Sequence, residues 1–200
     1  MLLTRVLQSL KERLGAERGK RPQRRRQKPT PWCKPLPEAL EDRVVPSFDQ
    51  GIDFTAPTVN YTNNDWSLGY RFQANVNTSV DQLGFYDANQ DGLTQSHAVG
   101  LYSDAGTLLA STTVTNSDPL IGFFRYHSIT PVALTAGQSY RVTGVTGTEG
   151  YTWNPVGFSV HPKITFQGDR WILSGGILQF PTNSSGLNGF FGANLRLDVN

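Results

Sequence analysis

From residue 47 onward, apolar and polar side chains alternate with a period of two in one short segment after another. Trp66, Leu68, Tyr70 and Phe72 alternate with Ser67, Gly69, Arg71 and Gln73, the pattern of a half-buried strand. Residues 80–86 predict a second strand, and 87–92 a turn after it. Residues 96–102 predict a third, and Ser103-Asp104-Ala105-Gly106 a hairpin-type turn into 107–115. Residues 122–129 read as an aromatic strand and 131–134 as a short edge piece. Residues 139–145 follow, with Tyr140 and Val142 on one face. Beyond Gly147 the pattern loosens, and 164–166, 171–173, 177–180 and 190–197 read as short strands among Gly/Asn/Ser loops. No helical period longer than two turns and no fixed repeat appears in this stretch. About eight to ten short strands at this spacing predict an all-β fold, an antiparallel β-sandwich of jelly-roll-like type.

The first 46 residues follow other rules. Leu3, Val6, Leu7, Leu10 and Leu14 recur at spacings of three and four among Arg5, Lys11, Arg13 and Arg18. That predicts a short basic amphipathic helix over 1–18, suited to targeting or to touching a membrane surface. Residues 19–46 hold Lys20-Arg21 and Arg24-Arg25-Arg26 among prolines at 22, 29, 31, 35 and 37. Such a segment cannot bury enough apolar surface to offset its ordering entropy, so it is expected to be a disordered leader. The expected domain is 47–200.

Charge sharpens that division. Residues 1–46 carry 12 Lys/Arg against 5 Asp/Glu, a net of +7, and residues 47–200 carry 6 against 11, a net of −5. The Arg run lacks interleaved aromatics and the expected domain is acidic, so nucleic acid is not the expected partner. No apolar run approaches the ~18 residues that cross a membrane, so no transmembrane segment is expected. The one Cys, Cys33, excludes an internal disulfide framework and Cys-based zinc fingers. Beside Trp32 in the leader, it is a candidate only for an intermolecular disulfide or a modification.

Candidate chemistry is sparse. Asp87-Ala88-Asn89-Gln90-Asp91-Gly92 spells the opening half of a calcium loop, with Asp87, Asn89 and Asp91 as candidate ligands. Its twelfth position is Ala98 rather than a bidentate Glu, and the plain reading is an Asx-type turn between strands. His97, His127 and His161 show no metal-ligand spacing, although His97 and His127 lie in expected strands that could be neighbours. There is no G-x-S-x-G elbow. Glu149 is the only Glu beyond residue 41 and sits in a Gly-rich loop. A polymer-acting hydrolase would have to pair it with an Asp across a cleft. Tyr151 and Trp153, in an expected loop, are the candidate ligand-binding aromatics together with Glu149, while Trp66 is expected in the core. Asn60, Asn77 and Asn183 open N-x-S/T sequons.

Two resemblances add an address. Leu40-Glu41-Asp42-Arg43-Val44-Val45-Pro46-Ser47, behind the Arg- and Pro-rich stretch, resembles the N-terminal signature of extracellular planctomycete proteins. That implies export to the cell envelope or beyond it. A second set of strings carries the other likeness. It includes Leu83-Gly84-Phe85-Tyr86-Asp87 with Asp91-Gly92-Leu93, Ser96-His97-Ala98-Val99-Gly100-Leu101-Tyr102, Gly106-Thr107-Leu108-Leu109-Ala110-Ser111, Phe124-Arg125-Tyr126, Leu134-Thr135-Ala136-Gly137-Gln138-Ser139-Tyr140 and Asn188-Gly189-Phe190-Phe191-Gly192-Ala193-Asn194. Over roughly 58–197 the chain is similar to a bacterial domain family of unknown function, frequent in proteins that end in a PEP-CTERM sorting tail. The resemblance implies an extracytoplasmic β-sandwich and no catalytic residues. With no V-P-E-P string at its end, the chain is not expected to use that sorting route.

The expected role is therefore an exported module with a structural or binding function, its ligand a glycan or envelope polymer. The other two readings are a hydrolase built on Glu149 and a calcium-stabilised adhesion module.

Overall fold

The alternating segments become long antiparallel strands. A computed structural model describes residues 48–186 and 189–198. The helix expected over 1–18, the leader expected over 19–46 and Cys33 lie outside the described residues. The strands are β1 (Phe48–Gln50), β2 (Ile52–Asp53), β3 (Asn60–Tyr61), β4 (Trp66–Ala74), β5 (Thr78–Tyr86), β6 (His97–Ser103), β7 (Leu108–Val114) and β8 (Leu120–Ile121). Then follow β9 (Phe124–Leu134), β10 (Ser139–Val145), β11 (Tyr151–Trp153), β12 (Ser159–Val160), β13 (Ile164–Leu173), β14 (Phe190–Phe191) and β15 (Ala193–Asp198). No helix occurs among the described residues.

Two five-stranded sheets, β1-β15-β5-β9-β8 and β13-β4-β10-β6-β7, form the sandwich. β8 and β13 are added edges. The remaining strands read β1-β15-β5-β9 over β4-β10-β6-β7. Among these eight strands the chain changes sheet at every connection except the β6–β7 hairpin. That is the strand order of a jelly roll. Two smaller sheets, β14-β11-β3 and β12-β2, complete the fold.

Period two explains the core. Tyr70 and Phe72 of β4, Leu83 and Phe85 of β5, Val99 and Leu101 of β6, Tyr140 and Val142 of β10, and Leu195 and Leu197 of β15 point inward and are buried. Aromatics supply much of the volume, with Tyr86, Phe124, Tyr126 and Phe191 fully enclosed. A polar knot runs through this core. The Asn194 side chain accepts from the Tyr70 hydroxyl at 3.0 Å and the Ile52 N–H at 3.3 Å. It donates to the Ile52 carbonyl and the Tyr126 hydroxyl, both at 2.8 Å. Tyr126 in turn donates to Gln50 at 2.8 Å. Burial holds both phenols well above their ordinary pKa, so they stay protonated donors.

Four expectations are corrected. Residues 131–134 are no separate edge piece but the end of β9, which continues past Pro131 through an irregularity opposite Val80 and Gln82. A register shift there lets the ladder do without the N–H that proline lacks. Residues 164–166 and 171–173 belong to one strand, β13, interrupted by a bulge between Phe166 and Asp169. Gly168 sits in that bulge at φ +92°, a conformation open to glycine. Residues 190–197 divide at Gly192 into β14 and β15.

Residues 177–180 are not a strand. They form a strap across the outer face of the second sheet. Ser67 Oγ donates to the Ile177 carbonyl and accepts from the Gln179 N–H. Phe180 packs on Tyr102 with ring centroids 5.6 Å apart. Gly100 lies beneath Leu178, where an added Cβ would come within 2.9 Å.

Candidate functional site

At one end of β4 the inward row runs past the core. Period two puts Trp66 and Leu68 on the face of Tyr70 and Phe72, and β13 pairs Trp171 directly opposite Leu68. Past the closed core these side chains meet the small sheet β14-β11-β3. The result is a cavity of about 350 Å³ walled by Tyr61, Trp66, Tyr151, Trp171 and Phe190. Tyr61 and Tyr151 stack at 5.7 Å and 27°, and Trp66 meets Trp171 edge-on at 5.4 Å and 63°. Polar atoms fix the walls. Asn63 Nδ2 donates to the Tyr151 hydroxyl at 2.7 Å, and Trp171 Nε1 donates to Ser185 Oγ at 2.9 Å. An apolar wall with a few placed amides and hydroxyls suits a ligand with both a flat apolar face and hydrogen-bonding groups.

The expected site residues separate here. Tyr151 lines the cavity, from strand β11 rather than a loop. Trp153 lies in the same strand, half-buried outside the cavity lining, and its Nε1 has no hydrogen-bond partner among the described residues. Glu149 also lies outside that lining, and its carboxylate accepts from the Thr94 N–H and hydroxyl. Trp66 is no core residue but a half-buried wall of the cavity. Sequence reasoning missed Tyr61, Phe190 and the role of Trp171. The alternation already set Trp66 at the end of the Leu68–Phe72 row, and that end position was the available signal for its place in a cavity wall. The pairing of Trp171 with Leu68 leaves none.

The Asp87–Gly92 string is a turn in which Asp87 is buried while Asn89 and Asp91 are exposed. Asp87 accepts from the Gly92 N–H at 3.1 Å and from Arg125 Nε at 2.8 Å. A guanidinium thus stands beside the first candidate calcium ligand. Among the described residues no group of three or more His, Cys, Asp or Glu is placed to hold a metal ion.

His97 and His127 lie in different sheets. His127 is exposed and pairs with Asp118 at 2.8 Å. His97 is buried, its ring stacked on Phe85 at 3.7 Å and 3°. Its Nδ1 lies 2.8 Å from the Val145 carbonyl, which assigns the proton to Nδ1. Burial lowers its pKa below 6.5, against smaller opposing effects of the Val145 carbonyl and Glu149. The unfolded chain therefore takes up this proton first as pH falls, and stability declines below about pH 6.5. His161 shifts in the same direction, chiefly through burial. Melting curves in the full chain should show a midpoint falling on acidification, with a shallower fall in His97→Gln. An unchanged slope in that variant would remove His97 from the account.

A family model described as a domain of unknown function, DUF4082, matches residues 54–191. The chain belongs to the DUF4082 family. Curated proteins offer no match. The DUF4082 match takes in every wall of the aromatic cavity but ends before β15, which lies between β1 and β5 in the first sheet. Asn194 and the Ile52 backbone it holds also fall outside the match. The DUF4082 sandwich is thus closed by residues on both sides of the matched span.

Proposed function

We propose that this DUF4082 domain is a glycan-binding module of an exported protein, acting at the cell envelope or outside the cell. The aromatic cavity supports the ligand class. Sugar rings present C–H faces that stack on Trp and Tyr, and hydroxyls that pair with amides and hydroxyls such as Asn63 and Ser185. The address rests on the leader. The Leu40–Ser47 string and the Arg- and Pro-rich stretch before it support an extracellular planctomycete-type protein. Likeness to domains of PEP-CTERM-tailed proteins supports an extracytoplasmic setting. Among the described residues no helix is long and apolar enough to cross a membrane.

A glycan-array screen of the full chain tests the binding half. Trp171→Ala should weaken the best array ligand at least tenfold, about 1.4 kcal/mol, as truncation of a central aromatic does at other binding sites. Trp153→Ala should change it little. Uniform absence of binding would leave a structural role.

A further inference from the structure

The outer face of the second sheet is divided. The strap covers one part, and beyond Pro181 the face carries Arg71 on β4, Arg141 on β10 and Arg170 on β13. Arg71 and Arg141 are directly paired across the two strands, a like-charge juxtaposition that disfavours the sheet by itself. One carboxylate serves both. Asp104 accepts from Arg71 Nε at 2.9 Å and Nη2 at 2.8 Å, and from Arg141 Nε at 2.9 Å. Arg141 also donates to the Pro181 carbonyl at 2.6 Å and lies 4.3 Å from the Phe180 ring centroid.

Arg170, half-buried opposite Gly69, donates to the Asp169 carbonyl at 2.6 Å. The Asp169 carboxylate is buried and accepts from Ser184 and Ser185. These three arginines are half of the 6 Lys/Arg in residues 47–200, a stretch of net charge −5. Arg71 and Arg141 share Asp104, and the three guanidiniums carry one charge more than Asp104 and Asp169 supply. Burial and then Arg141 and Arg71 lower the Arg170 pKa, and the two arginines outweigh Asp169 and Asp104. Gln73, Ser139 and Gln167 lie in the same region, with Ser139 bonded to Gln167 at 3.1 Å. They add amide and hydroxyl groups suited to sugar.

We propose that Arg71, Arg141 and Arg170 form a subsite for the sulfate or carboxylate groups of an acidic polysaccharide. A guanidinium fork matches both anions. This inference deepens the glycan reading and rests on it for the carrier of the anion. Arg170 precedes Trp171 on the edge strand β13, so a chain stacked in the cavity has the patch across that edge.

The test compares sulfated and unsulfated dextran of one length on the full chain at physiological salt. Arg170→Gln removes the arginine that does not touch Asp104, and Arg170→Lys keeps the charge. A leader control replaces Arg24, Arg25 and Arg26 with Gln. The expected result is at least tenfold preference for the sulfated probe. Arg170→Gln should cut sulfated binding about fivefold, Arg170→Lys should recover most of it, and the leader control should retain it. No preference for sulfate, or a preference lost only in the leader control, overturns the proposal. So does single-stranded DNA binding that falls equally in Arg170→Gln. Array-ligand binding that survives Trp171→Ala overturns the cavity reading and leaves the patch standing.

Discussion

Replacing Asn194 with Ala should destabilise the protein by about 3–5 kcal/mol. Its amide is the centre of the buried knot, accepting from Tyr70 and Ile52 and donating to Ile52 and Tyr126. Alanine leaves the Ile52 N–H and carbonyl and two phenol oxygens without that partner in an apolar core. Each buried unsatisfied group costs about 1–3 kcal/mol, reduced where Tyr126 keeps its bond to Gln50. Tyr70→Phe deletes only the outer member of one bond, so about 1 kcal/mol is expected. Urea denaturation of the three chains measures both differences. A loss under 1 kcal/mol in Asn194→Ala would mean that the knot does not fix β2 to the sandwich.

Asp87→Ala carries the next largest expected effect, about 2–4 kcal/mol. Arg125 has only 14% of its side chain exposed and would lose its carboxylate, keeping the Asn116 and Asp118 carbonyls at 3.0 Å. The turn also loses the bond that closes Gly92 back onto Asp87. Because Arg125 already supplies a cation, calcium should leave the wild-type melting midpoint unchanged, with or without later chelator. Calcium held at a hundred times its Kd would instead add about 2.7 kcal/mol, roughly 5–10 °C for a chain of this size. A shift of that order would restore Asp87, Asn89 and Asp91 as ligands.

Long strands with strict alternation were legible in the sequence, because period two is set by the pleat within one strand. β4, β5, β6, β7 and β10 were all read within a few residues of their ends. What failed depended on tertiary partners. The bulge at Gly168 made β13 look like two strands, since an inserted residue flips the alternation. Ile177–Phe180 resembles a strand because three of its four residues are apolar, yet it packs on a sheet face without pairing. β2, β3 and β12 are two residues each, too short to carry a period. The cavity suffered in the same way. Tyr151 was identified, but Tyr61, Trp171 and Phe190 reach it from three other strands, Tyr61 from 90 residues earlier in the chain, an arrangement that pairing alone creates. Trp153 and Glu149 were drawn in by their closeness to Tyr151 in sequence. Period two sends Trp153 one full repeat further, and Thr94 takes Glu149.

The most direct measurement of the central claim is an NMR titration of the indole N–H resonances of the full chain with its best array ligand. Trp66 and Trp171 line the cavity, and Trp153 does not. The Trp66 and Trp171 resonances should move together along one binding curve while Trp153 stays in place. Movement of Trp153 alone, with Trp66 and Trp171 unmoved at saturation, would contradict it.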